Sequence, residues 1–333
     1  MRRLLINTMA GAFVLAAASP LFAGGREPSS VLVYPVFDSR QALTIISIVN
    51  SNGDHSWDPS RGDEKGSVWV HFNYINGDGC RNNDASVHLT PNDTFQTLAS
   101  AHSPSAVEGY LYVYAETDNH SGIAKSWNYL IGDLLAIDGV LNIEYSANAY
   151  GFRSPLKDNE LTDLDGDKAL DFDGLEYEKL PDVLLFPHFF GQNDREDRGN
   201  GIDGCIAMLG LTGSRYTYEV DFDIYNDNEY HSSAYGYPFT CWAFPKLVDI
   251  SGAFTETYLD SLGSNDDPNE LYGFPEINTG WFSLRGNIAY HDNSDVQNPG
   301  ILALYVERIG KLSAADLPWC QGTRTGALLP RTN

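Results

Sequence analysis

The sequence predicts an all-β protein, in which two tandem antiparallel β-sandwiches of the immunoglobulin-like type are joined by an Asp-rich segment. Three observations support this prediction. Short runs of alternating apolar and polar residues recur along the chain, separated by clusters of Gly, Asn, Asp and Pro, a pattern typical of strands joined by turns. The order of these runs in the first half returns in the second. Helical periodicity is weak throughout, and residues 128–137 are the best helix candidate.

The N-terminal residues predict export. Arg2 and Arg3 precede an apolar run, and small residues follow up to Ala23. This order is typical of a secretory signal peptide, and the apolar run is too short for a membrane span. We therefore expect cleavage after Ala23 and a secreted protein, whether extracellular, at the cell surface or periplasmic. No later segment has the apolar length of a transmembrane anchor.

Charge and length limit the classes of partner and the number of domains. Cleavage removes two of the 21 basic residues and none of the 45 acidic ones, which takes the formal net charge from −24 to −26. Nucleic acid is therefore an unsuitable partner, because phosphate binding needs clustered cations. A mature chain of about 310 residues favours two domains. The expected units are sandwiches at 24–153 and 183–312, a linker at 154–182 and a tail at 313–333.

The two halves read alike. "VLVYPVF" (31–37) returns as "VLLFPHF" (183–189), with the proline in the same place. "LTIISIVN" (43–50) returns as "IAMLGLTG" (206–213). "VWVHFNYINGD" and "GYLYVYAE" likewise have counterparts in "YEVDFDIYNDN" and in "GWFSLRGNI" followed by "GILALYVER". We interpret this as an internal duplication, with chance resemblance between β-rich halves as the alternative. Each proline is expected on an edge strand or at a bulge.

Four cysteines in an exported chain favour disulfides. Cys80, Cys205, Cys241 and Cys320 allow three pairings. The spacings favour Cys205–Cys241 within one domain and Cys80–Cys320 between distant parts, although free thiols remain an alternative. The lack of a C-x-x-C pair argues against a structural zinc site.

The Asp-rich segment is the main candidate site. Its candidate calcium ligands are Asp163, Asp165, Asp167, Asp171, Asp173 and Glu176. Over about a dozen residues the spacing resembles the calcium loops of EF-hands, dockerins and thrombospondin type 3 repeats, which implies a structural calcium ion. Two positions depart from the EF-hand pattern, because Lys168 replaces the turn glycine and Gly174 replaces the closing glutamate. A solvated linker and a catalytic carboxylate cluster are the alternatives.

Aromatic residues suggest a second kind of site. Candidate ligand-binding rings are Trp57, Trp69, Tyr235, Tyr237 and Trp242. Exposed rings on a sandwich can stack on sugars or partner surfaces, whereas buried rings only fill a core.

Motifs that define enzymes are missing from the sequence. It contains no G-x-S-x-G, no H-E-x-x-H, no G-x-x-x-x-G-K-[ST] and no G-x-G-x-x-G between a strand and a helix, and its eight histidines stand singly. The sequence therefore favours a secreted, non-enzymatic protein with a binding or extracellular structural role and an unknown protein or glycan partner. A carbohydrate-binding protein and a secreted hydrolase with loop carboxylates are the alternatives.

Overall fold

The computed structural model describes residues 27–40, 42–139, 143–193, 201–263, 278–291, 294–310 and 312–328. The predicted signal peptide at 1–23 lies outside these residues. Within the described ranges the protein is mostly antiparallel β-sheet, which confirms the all-β prediction. The longest helix in these ranges has six residues, and none has the length and apolar character needed to cross a membrane.

The strands of the first half form two sheets. In chain order they are β1 (Val31–Asp38), β2 (Ala42–Asn50), β3 (Trp57–Asp58), β4 (Asp63–Glu64), β5 (Val68–Asn76), β6 (Asn82–Leu89), β7 (Thr94–Leu98), β8 (Glu108–Glu116), β9 (Leu130–Asp138), β10 (Ile143–Asn148) and β11 (Tyr150–Phe152), with helix α1 (Ala99–His102) after β7. Sheet A has the order β10-β9-β2-β7, and sheet B has the order β11-β1-β8-β5-β6. The short β3 and β4 pair only with each other.

The strands of the second half form two more sheets. They are β12 (Val183–Phe190), β13 (Ile202–Leu211), β14 (Thr217–Asn226), β15 (His231–Thr240), β16 (Trp242–Ala243), β17 (Thr279–Tyr290), β18 (Val296–Gln297), β19 (Gly300–Ile309), β20 (Leu312–Asp316) and β21 (Trp319–Gln321). Helices α2 (Leu247–Ile250) and α3 (Glu256–Ser261) and a 3₁₀ turn (Gly252–Phe254) follow β16. Sheet C has the order β16-β13-β19-β20, and sheet D has the order β15-β14-β17-β12-β21.

The two halves have the same strand order. If β12 is matched with β1, β13 with β2, β14 with β5 and β17 with β8, sheet D repeats the strand order of sheet B. The short β18, which pairs with β17, is an addition to sheet D. Sheet C repeats sheet A in the same way. Most of the matched strands carry the sequence runs that resemble each other, but "GILALYVER" lies on β19, which matches β9 and not β8. In the first half β1 pairs with β8, and in the second half β12 pairs with β17. This pairing of the first strand differs from that in the ABED and CFG sheets of an immunoglobulin constant domain.

Each half has an apolar core between its two sheets, and the first core also includes Ala207, Leu304 and Val306 of sheet C. Strands of sheets A and B alternate their side chains into the first core, where Ile46, Ile48, Val70, Phe72 and Leu134 are buried. Sheets C and D enclose the second core in the same manner. It includes Phe186, Met208, Phe222, Phe282 and Tyr305. Such burial on one face of each sheet is what period-two alternation predicts.

A third apolar layer, which we call the interior layer, lies between the halves. Sheet B contributes Val31, Val33, Ile75, Tyr110, Tyr112, Tyr114, Tyr150 and Phe152, sheet C contributes Leu209, Leu211 and Leu302, and the remaining chain contributes Leu170, Phe172, Tyr177, Leu180 and Leu328. Sheets B and C are therefore covered on both faces. Residues 31–37 and 109–116 are accordingly buried without interruption, which explains why these runs are almost continuously apolar or aromatic.

Both prolines lie at bulges. The register between β1 and β8 shifts between Tyr34 and Phe37, around Pro35. The register between β12 and β17 shifts in the same way around Pro187. The bulge alternative is therefore confirmed on the side that faces β8 or β17. On the other side, β11 pairs with Val31–Val33 and β21 with Val183–Leu185, so this pairing stops before each proline. A bulge accommodates a residue that has no N–H to donate.

One expectation needs correction, and two expected segments are part of the packed structure. Residues 128–137, the best helix candidate, form most of strand β9, because alternate residues such as Leu130 and Leu134 are buried between the sheets. The expected linker at 154–182 is packed into the interior layer through Phe172 and Tyr177. The expected tail at 313–333 supplies most of β20 and all of β21.

We expect Leu302→Ala to lower the free energy of unfolding by about 2–5 kcal/mol, because it opens a cavity in the interior layer. Leu302 is fully buried there. Leu312→Ala is the matched control, since this leucine is 69% exposed and its truncation should change stability by about 0.5 kcal/mol or less. Chemical denaturation measures both. Equal effects would mean that the interior layer is not a core.

Candidate functional site

The Asp-rich segment is anchored by its apolar side chains. Leu170, Phe172 and Tyr177 are buried in the interior layer, and the Phe172 ring lies 4.4 Å from that of Phe152. The backbone N–H of Phe172 donates to Gly326 O at 2.7 Å. These contacts hold the intervening carboxylates in one place at the edge of the layer.

The backbone of the segment turns as a calcium loop does. Asp163 accepts from the N–H of Gly166 at 2.8 Å, and Asp167 accepts from the N–H of Ala169 at 2.7 Å. Lys168 has φ of +67°. The position that departs from the EF-hand pattern therefore adopts the left-handed conformation for which glycine is preferred.

Carboxylates converge inside this loop. Asp163, Asp165 and Asp167 each place one oxygen within 4.8 Å of the others, and Asp165 does so again with Asp171 and Glu176. Glu176 is 3% exposed, and its two oxygens accept from the N–H groups of Leu164 at 2.6 Å and of Asp171 at 3.3 Å. The loop thus presents five carboxylates to one region, a donor set suited to Ca²⁺.

Asp173 does not join this group of oxygens. Its Oδ1 accepts from the N–H groups of Leu175 and Glu176 at 2.7 and 3.0 Å and so closes a local turn. This turn directs Glu176 back toward Asp165. Glu176, rather than Asp173, is therefore the residue placed to close the loop.

The crowding of these acids shifts their pKa values. Burial, followed by the charges of Asp167 and Asp165, raises the pKa of Asp171 to about 6. Burial also raises the pKa of Glu176 to about 7, although its two backbone hydrogen bonds oppose the shift. Like charges in a poorly solvated site favour proton uptake, and a bound cation would relieve the same repulsion.

The structure does not bring the predicted aromatic residues together. Trp57 and Tyr235 are 62% and 67% exposed but lie in different halves. The Trp69 ring lies 4.9 Å from that of His88 at an interplanar angle of 47°, and Tyr237 packs against the second core. Trp242 lies between the halves, where its Nε1 donates to Pro35 O at 2.8 Å. These five residues do not form one surface.

Another row of rings lies on the outer face of sheet D. Tyr225 and Trp281 are cross-strand neighbours whose rings stack at 4.3 Å with an interplanar angle of 7°. His231 continues the row on the other side of Tyr225 at 4.8 Å. Trp281 is 38% exposed. Sequence reasoning missed this row, although alternation places Tyr225 on the opposite face from the core residue Ile224.

The disulfide pairing differs from the favoured one. Cys80 is bonded to Cys241, 161 residues away, so the bond joins the two halves at the interior layer. The expected pairs Cys205–Cys241 and Cys80–Cys320 are therefore wrong. Cys205 and Cys320 are thiols, and burial raises the pKa of each to about 11, so both are weak nucleophiles at neutral pH.

The fold also assembles histidines that are far apart in the sequence. His71 and His120 lie near Asp84 on sheet B. Spacing along the chain gives no sign of this group, because its members come from two strands and a loop. The only available signal was the presence of polar residues on strands whose other face is apolar.

We expect Lys168→Gly to raise the free energy of unfolding by about 0.5–1 kcal/mol. A left-handed conformation costs an L-residue about 1–2 kcal/mol. Glycine removes this cost but loses more conformational entropy on folding, which offsets part of the gain. Lys157→Gly is the matched control. It lies in the same segment, exposed and outside the positive-φ region, so its substitution should be neutral or destabilising. Thermal melting of the two variants decides between these outcomes, and equal changes would contradict the conformational argument.

No protein-family model, curated protein or solved structure matches this chain.

Proposed function

We propose that this protein is exported and non-enzymatic, and that it has a binding or extracellular structural role in which the Asp-rich loop binds a structural calcium ion. The convergence of Asp165, Asp171 and the buried Glu176 carries this proposal. Calcium takes six to eight oxygen ligands. The carboxylates of the loop supply most of these, and backbone carbonyls and water can complete the set.

The role of the ion follows from the position of the loop. Leu170 and Phe172 lie within the ligand sequence and also in the interior layer. An ion that orders the carboxylates would therefore also hold these side chains between sheets B and C. In this proposal calcium stabilises the contact between the two halves rather than taking part in turnover.

We expect calcium to raise the melting midpoint of the mature chain. An ion that binds only the native state and is present at 100 times its Kd adds about 2.7 kcal/mol to the free energy of unfolding. This corresponds to a shift of the melting midpoint on the order of 5 °C. The double variant Asp165→Asn, Asp167→Asn should lose this shift. Thermal melting with calcium titration measures it.

Asp260→Asn is the control for this experiment, because Asp260 is an exposed acid on α3 far along the chain from the loop. It should keep the full calcium response. If calcium leaves the melting midpoint unchanged and the loop variants are as stable as the unmodified chain, the segment is a packed acidic connection without a calcium site.

Carbohydrate binding is the second candidate function. The row formed by Tyr225, Trp281 and His231 favours it, because a ring that is stacked on one face and exposed on the other can hold a sugar ring. Trp281 is 38% exposed on this face of sheet D, so a glycan can reach its ring.

If this surface binds glycans, we expect Trp281→Ala to weaken glycan retention about tenfold, a loss of about 1.4 kcal/mol. Trp57→Ala removes an equally large exposed ring from the first half and should leave retention unchanged. A glycan array followed by affinity electrophoresis provides the measurement. Absence of any glycan retention by the unmodified protein would eliminate this second candidate.

A further inference from the structure

A group of metal-binding side chains lies on sheet B, separate from the Asp-rich loop. His71 is on β5, Asp84 is on the neighbouring β6, and His120 is in the loop after β8. One potential ligand atom of each lies within 4.8 Å of the other two. The strand register explains the first two positions, because His71 is paired with Ser86 and Asp84 is two residues away on the same face.

His71 is held in one orientation by a buried carboxylate. Its ring is fully buried, and its Nδ1 lies 3.1 Å from Glu116 Oε2. The ring also stacks on Tyr114 at 5.2 Å. A hydrogen bond from Nδ1–H to the carboxylate leaves the lone pair on Nε2.

That lone pair has no hydrogen-bond donor within the part of the chain that the structure describes. Among the described residues His71 Nε2 is buried and lacks a hydrogen-bond partner, and it lies 3.7 Å from Asp84 Oδ2. Buried polar atoms without a partner are rare and call for an explanation. A cation between Nε2 and the Asp84 carboxylate supplies one.

Glu116 also shapes the loop that carries His120. It accepts from the backbone N–H of His120 at 3.1 Å and from that of Gly122 at 2.9 Å, and Ser86 Oγ donates to it at 2.5 Å. His120 has φ of +52°, a conformation that costs energy for a residue with a side chain. The same carboxylate thus holds the ring of one histidine and the backbone of the other.

We propose that His71 Nε2, Asp84 and His120 bind a divalent ion of the zinc class, with Glu116 as the positioning residue for His71. Two imidazoles and one carboxylate suit zinc and similar transition metals, whereas calcium prefers oxygen donors only. A carboxylate behind a ligating histidine is a frequent companion of such ions.

The distances agree with this assignment. Two ligands at about 2.0–2.2 Å from a tetrahedral zinc lie roughly 3.3–3.6 Å apart. The 3.7 Å between His71 Nε2 and Asp84 Oδ2 is close to this separation. Three protein ligands leave a fourth position for water or for an incoming group, as in zinc sites that are not purely structural.

Isothermal titration of the full mature chain with Zn²⁺, in the presence of saturating Ca²⁺, tests the site. We expect one zinc ion per chain, and at least tenfold weaker binding in both Asp84→Asn and His120→Ala. These two side chains are exposed, so their replacement should leave the fold intact. His231→Ala is the control, because His231 also pairs with an aspartate, Asp223, at 2.9 Å, but on sheet D.

Glu116→Gln tests the positioning role. We expect a 10–100-fold loss of zinc affinity and an altered visible absorption spectrum of the Co²⁺-substituted chain, with the circular dichroism of the fold unchanged. If this variant unfolds, the zinc affinities of Asp84→Asn and His120→Ala still test whether the site exists. The proposal is overturned if zinc fails to bind stoichiometrically, if the double variant Asp84→Asn, His120→Ala binds it as well as the unmodified chain, or if His231→Ala weakens binding equally.

Discussion

The rest of the structure depends on the burial of sheets B and C against each other. Sheet B presents three tyrosines of β8, and sheet C presents Leu209 and Leu302. One hydrogen bond crosses this contact, since Tyr150 Oη donates to Ala303 O at 2.5 Å, whereas the buried Tyr110 Oη lacks a partner among the described residues. A contact that is apolar, hydrogen-bonded and crossed by a disulfide has the character of a core rather than of a domain interface.

This contact also explains where the Asp-rich segment lies. The segment enters the interior layer through Leu170 and Phe172, and it leaves Asp165, Asp167 and Asp171 at or near the surface beside them. Packing therefore crowds the carboxylates, which their charges alone would oppose. The raised pKa of Asp171 reflects burial first and the neighbouring aspartates second. A cation would offset the electrostatic cost that packing imposes on the loop.

Alternation predicted most of the strands but not β9, whose residues were the best helix candidate, and most of the similar sequence runs lie at equivalent positions in the sheets. Alternation could not predict what covers the second face of β1 or β8, because a continuous apolar run has the same sequence pattern whether it packs against a helix, a sheet or another domain. The Cys80–Cys241 disulfide could not be predicted without this information, because these two residues meet at the interior layer. For the loop, spacing predicted the aspartates, but the choice of Glu176 over Asp173 depended on a local turn.

Comparison of the two halves shows why the histidine group belongs to only one of them. Sequence alignment of β5 with β14 matches His71 with Asp221. Asp221 is also buried, but its Oδ1 accepts from Asn287 Nδ2 at 3.1 Å and from the N–H of Gly236 at 3.0 Å. The second half therefore satisfies its buried polar residue with amide donors. The first half places a carboxylate behind an imidazole and leaves Nε2 unpaired among the described residues. The same strand geometry thus supports a closed hydrogen-bond network in one half and an open coordination position in the other, so the metal chemistry comes from the side chains placed on the fold and not from the fold itself.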